Sequence, residues 1–64
     1  MKKVELAKEY FPDADAGVAC DKLRRWINRC TQLLTELAKT GYNTYDKEFT
    51  PRQVELIKEY LGDP

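Results

Sequence analysis

Hydrophobic and polar positions alternate at helical spacing in three stretches of this chain, separated by clusters of turn residues. The first stretch runs over residues 3–11. Val4, Ala7 and Phe11 recur on one face, Leu6 and Tyr10 widen it, and Lys3, Lys8 and Glu9 fall elsewhere. Pro12 ends it, because proline disfavours the helical conformation of the residue before it. The second stretch covers 16–39. At 100° per residue, Ala19, Cys20, Leu23, Trp26, Ile27, Cys30, Leu33, Leu34, Leu37 and Ala38 fall within an arc of about 140°. The phase holds throughout, so one helix is allowed, with a break expected at 28–31, where Thr31 is a candidate N-cap. Gly41 is the candidate C-cap.

The third stretch, 51–61, has the most complete local chemistry. Thr50 is placed as N-cap, Pro51 at the first helical position and Gln53 to close a capping box, with Phe49 and Val54 spaced for a hydrophobic staple. Gly62 stops it. Between them, 41–49 reads as a loop with three aromatics. The expected fold is a single all-α domain of three or four helices, helix-turn-helix-like. Its expected core is Leu6, Ala7, Phe11, Leu23, Ile27, Cys30, Leu34, Leu37, Val54, Ile57 and Leu61.

Length narrows the functional classes. A chain of 64 residues buries roughly 60% of the surface its unfolded form exposes, which leaves little framework for a deep substrate pocket. Histidine and serine are both absent, so no Ser–His or Cys–His nucleophile pair can be built. The acids interleave with lysines and arginines, the pattern of solvated helix faces, and the three glycines stand apart rather than in a phosphate-cradling loop. The expectation is a non-enzymatic protein without cofactor, metal or small-molecule substrate. No apolar run approaches the roughly 20 residues that span a bilayer, and Met1 to Glu5 lacks the apolar stretch of a signal peptide. A cytoplasmic setting is therefore expected, with Cys20 and Cys30 as reduced thiols on the apolar arc. On one straight helix they would stand about 15 Å apart, whereas a disulfide needs Cα atoms within about 7 Å.

The charge balance is zero, 11 basic against 11 acidic residues, yet it is uneven. Residues 22–29 read Lys-Leu-Arg-Arg-Trp-Ile-Asn-Arg, four cations without an acid. Lys22, Arg25 and Arg29 follow i, i+3, i+7 and line one stripe, with Trp26 on its apolar border. Such a face suits phosphates, since arginine binds them bidentately. The plainer reading is a solvated stripe, continued by Glu36 and neutralised by Asp21, with Trp26 as a core anchor. The candidate nucleic-acid contacts are Lys22, Arg24, Arg25 and Arg29, with Lys47 and Arg52 as lesser ones. A protein-interaction or homodimerising module is the alternative, its surface formed by Trp26, Tyr42, Tyr45 and Tyr60, residue types enriched at interfaces.

Glu5-Leu6-Ala7-Lys8, Leu23-Arg24-Arg25-Trp26-Ile27, Gly41-Tyr42, Phe49 to Ile57 and Tyr60 to Pro64 together resemble a family of small uncharacterised proteins of gut Bacteroides. The resemblance covers nearly the whole chain and implies a compact cytoplasmic bacterial domain of unknown function, with no catalytic residues. At the level of fold, the order of elements is also similar to the helix-turn-helix of MerR-type regulators and excisionases. Leu6 and Ala7 match its first helix, Leu23 to Trp26 its second, Gly41 with Tyr42 its wing, and Phe49 with Thr50 the cap of its closing helix. In two respects the chain departs from that pattern. The span from Ala7 to Leu23 is about six residues longer than the tight turn of such motifs, and Thr31 to Lys39 intervenes before the wing. Fold-level similarity of this kind does not carry function.

Overall fold

Glu5 starts the first helix by accepting the Lys2 N–H at 3.0 Å, which satisfies one of the amides that a helix N-terminus leaves open. In the computed structural model, which describes residues 1–64, the helices are α1 (Lys3–Tyr10), α2 (Ala16–Arg29), α3 (Thr31–Lys39) and α4 (Pro51–Leu61). There is no β-strand, only one isolated antiparallel bridge between Lys2 and Glu48. The all-α expectation holds. Helix α1 ends one residue earlier than its periodicity predicts, because Phe11, ahead of Pro12, has left helical geometry at φ −131° and ψ 70°.

The expected break falls at a single residue. Cys30 (φ −92°, ψ 90°) closes α2 and opens α3. Thr31 is not the cap but the first residue of α3, and Cys30 caps without a side-chain bond. Because the helix changes direction there, Glu36 no longer extends the basic stripe of α2. It lies on α3 and binds Lys39 Nζ at 2.8 Å.

Helix α3 ends in a Schellman motif: the Gly41 N–H donates to Ala38 O and the Tyr42 N–H to Leu37 O, both at 3.2 Å. Gly41 takes the required left-handed conformation, φ 82°. The α4 start follows its sequence. Gln53 N–H donates to Thr50 Oγ1 at 3.2 Å and Thr50 N–H to Gln53 Oε1 at 3.0 Å.

The core consists of Leu6, Ala7, Ala19, Leu23, Ile27, Leu33, Leu37, Phe49, Leu56 and Ile57. Phe11, Cys30, Leu34, Val54 and Leu61, expected inside, are only partly buried and pack against its rim. Phe11, Cys30 and Leu61 lie at helix ends, where one flank faces solvent, and Val54 lies in the first turns of α4. Leu34 lies in the first turns of α3, just past the bend. The bend also rotates α3, which brings Leu33 fully inside and leaves Ala38 exposed. Both cysteines are free and partly buried.

Residues 41–49 form no wing-like hairpin. The loop folds back on the N-terminus instead: Phe49 N–H donates to Met1 O at 2.7 Å and Lys3 N–H to Lys47 O at 2.9 Å. Tyr42 stacks on Phe49 with ring centroids 6.3 Å apart. Lys3 Nζ lies 4.8 Å from the Tyr42 centroid and donates to Asn43 O at 2.8 Å. Burial among these rings lowers the Lys3 pKa, with Asp46 and Cys20 opposing the shift.

Candidate nucleic-acid interface

Helix α2 packs against all three other helices. Its apolar face is consumed by the core, which leaves Asp21, Lys22, Arg24, Arg25, Asn28 and Arg29 exposed, with Trp26 at the edge; Lys22, Arg25 and Arg29 form the stripe beside it. Phe11, at the end of α1, closes the site from the other side. Its ring lies 4.7 Å from that of Trp26, edge to face, and Tyr10 completes the cluster at 6.2 Å from Trp26. Lys22 Nζ stands 5.5 Å from the Phe11 centroid, a cation–π distance.

Phe11, Lys22, Arg25, Trp26 and Arg29 thereby line one open hollow of about 290 Å³. Trp26 remains 40% exposed. It is neither a buried anchor nor a free side chain, because its edge contacts hold it in place while part of the indole faces water. Phe11 is the residue the sequence reading misses here. Its place on the apolar face of α1 points to the core, and only the turn at Pro12 shows that it can reach α2.

Ion pairing separates the candidate cations. The salt bridges are Arg24–Asp21 at 3.1 Å, Lys39–Glu36 at 2.8 Å and Arg52–Glu55 at 3.4 Å, each between residues three apart. Lys22, Arg25, Arg29 and Lys47 have no carboxylate partner, and of these only the first three share the hollow. Asp21 neutralises Arg24 rather than the stripe, and Glu36 is occupied by Lys39.

The remaining candidates lie elsewhere. Arg24 is on the flank of α2 that borders a small cavity of about 120 Å³ with Lys3, Tyr42, Thr44 and Phe49. Lys47 is near the N-terminus of α1, the opposite end of that helix from Phe11. Arg52 lies on α4 beside its partner Glu55. Of the six candidate cations, three converge.

The four aromatic residues of the alternative surface do not form one patch. Trp26 belongs to the hollow and Tyr42 is half-buried against Phe49. Tyr45 projects from the loop, 90% exposed, and Tyr60 lies near Lys39 on another face. Nowhere does the fold gather three or more cysteine, aspartate or glutamate side chains in metal-binding proximity. No helix is long and apolar enough to cross a membrane.

The family model described as "Domain of unknown function (DUF4248)" matches residues 1–64, and the chain belongs to that family. No curated protein and no solved structure matches it.

Proposed function

We propose that this member of the family is a small non-enzymatic binding module that holds nucleic acid by its phosphates through the outer face of α2. One observation carries the reading: Lys22, Arg25 and Arg29 surround a partly exposed tryptophan and have no acidic partner. Of the eleven lysines and arginines, Arg24, Lys39 and Arg52 are paired with a neighbouring acid, and what sets Lys22, Arg25 and Arg29 apart is that they are both unpaired and gathered at one hollow. Three unpaired cations on one stripe form a local positive surface on a chain of zero net charge. The Bacteroides source, the cytoplasmic setting and the likeness to MerR-type and excisionase domains belong to the same proposal. That likeness rests on α1, its turn and α2, since the loop at the place of the wing is folded back on the N-terminus.

The test is a titration of labelled oligonucleotides, double- and single-stranded, at two salt concentrations. Three phosphate contacts predict an affinity that falls about 40-fold for the duplex and about 20-fold for the single strand between 50 and 200 mM salt. No binding at low salt would sink the proposal, as would binding that ignores both salt and Arg25→Glu. The exposure of Tyr45 favours a second reading, a protein-interaction or homodimerising module. Light scattering over a range of concentrations distinguishes it, because a strict monomer removes the homodimer.

A further inference from the structure

We infer that the nucleic acid taken by this face is single-stranded, with one unstacked base laid in the hollow against the exposed part of the Trp26 indole and its flanking phosphates held by Lys22, Arg25 and Arg29. The inference rests on the phosphate-binding reading above and narrows it to one class of ligand. It begins with the wrong end of α2 being basic. A recognition helix in a major groove presents its N-terminal residues to the base edges. Here the N-cap is Asp15, Asp13 precedes it, and the first turn, Ala16-Gly17-Val18-Ala19, holds no cation. Entry of that end into a groove would bring two carboxylates towards phosphates.

The cations lie further along, between Lys22 and Arg29, over about 10 Å of helix axis. They line a hollow walled by aromatic rings. A duplex offers such a face its backbone and base edges but no surface to stack on, because its base faces are covered by their neighbours. A single strand can turn a base out onto aromatic side chains, and binding of this kind combines a positive groove with stacking platforms. The hollow is open to solvent, so a base can approach it, and the exposed part of the indole lies in its wall. The side chains there that can hydrogen-bond are Lys22, Arg25 and Arg29, which this arrangement assigns to phosphates, so the expected binding tolerates sequence.

Trp26 is the only tryptophan, so its emission reports on the hollow in the unaltered protein. Oligothymidylate of about 12 nucleotides, long enough for the smaller single-strand sites, is titrated against a duplex of equal length at low salt. The expected result is quenching of Trp26 emission by the single strand, with affinity at least about tenfold above that for the duplex. Trp26→Leu, which keeps apolar bulk without a ring, loses about tenfold, while Trp26→Phe stays within about threefold. Should Trp26→Leu fail to fold, the emission of the unaltered protein still decides. Duplex binding as tight as that of the single strand, with unchanged emission, overturns the inference and leaves phosphate binding intact. A single-strand preference without quenching overturns it too, because the base then lies elsewhere. Absence of binding to either at low salt removes the phosphate-binding reading and this inference with it.

Discussion

Gln53 Nε2 donates to Thr40 Oγ1 at 3.0 Å, joining the start of α4 to the end of α3. Gln53 is the only buried polar residue, and both polar atoms of its side chain have a partner: its Oε1 caps Thr50, and Thr40 passes the network on by donating to Leu37 O at 2.7 Å. Gln53→Leu is expected to lower stability by about 1–2 kcal/mol, because it removes two part-buried hydrogen bonds and leaves the Thr50 N–H and Thr40 Oγ1 without that partner. Paired with Thr40→Val in a double-mutant cycle, it should give a coupling of about 1 kcal/mol. Urea denaturation measures both, and strictly additive single effects would mean that the link contributes nothing.

Two glycines should respond to alanine with opposite signs. Gly41 has φ 82° and open space where a Cβ would go, so Gly41→Ala incurs backbone strain alone, about 1 kcal/mol. Gly17 lies in the first turn of α2 with nothing within 4 Å of an added Cβ. Gly17→Ala should therefore stabilise by up to about 1 kcal/mol through helix propensity. Thermal melts of the two variants, side by side, settle the signs.

Charge reversal separates the cations that converge from those that do not. Arg25→Glu and Arg29→Glu are each expected to weaken oligonucleotide binding about tenfold and to reduce the salt slope by about one. Arg24→Glu, Arg52→Glu and Lys47→Glu should stay within about threefold, since these residues lie away from the hollow. Equal losses at all five positions would point to diffuse attraction rather than to a site.

Burial raises the pKa of Tyr42 above its ordinary 10.0, outweighing the nearby Arg24, and burial likewise raises that of Tyr10. The folded state thus keeps phenolic protons that the unfolded chain has lost. Their contribution is complete below about pH 10 and disappears as the pH rises through the folded values. Urea midpoints should accordingly fall on the alkaline side of about pH 10. Tyr42→Phe should flatten that fall, and an unchanged pH profile would show that Tyr42 ionises without loosening the loop.

Much of this fold was legible in local chemistry. The signals around Thr50, Pro51 and Gln53 act within one turn, so α4 has the expected bounds. The stripe Lys22, Arg25 and Arg29 was equally accessible, because helical spacing alone places those residues together. Contacts between distant segments escaped. Periodicity specifies that Phe11 is apolar but not that its ring meets Trp26, and no pattern within 41–49 announces that its pairing partners are residues 1–3. Arg24 belongs to the same basic run as Arg25, yet its neighbour Asp21 and its flank of the helix remove it from the site.

The pairing of residues 1–3 with 47–49 also bears on the order of events during folding. Every other backbone hydrogen bond joins residues within a few positions of each other. The helices can therefore form locally, whereas this pairing must first close a loop of more than forty residues, at an entropic cost that local contacts do not incur. This pairing is therefore expected to close last and, resting on few backbone bonds, to open first. The amides of Lys3 and Phe49 should exchange with solvent well before those in the middle of α2, while the basic face stays assembled on the part of the molecule that opens late.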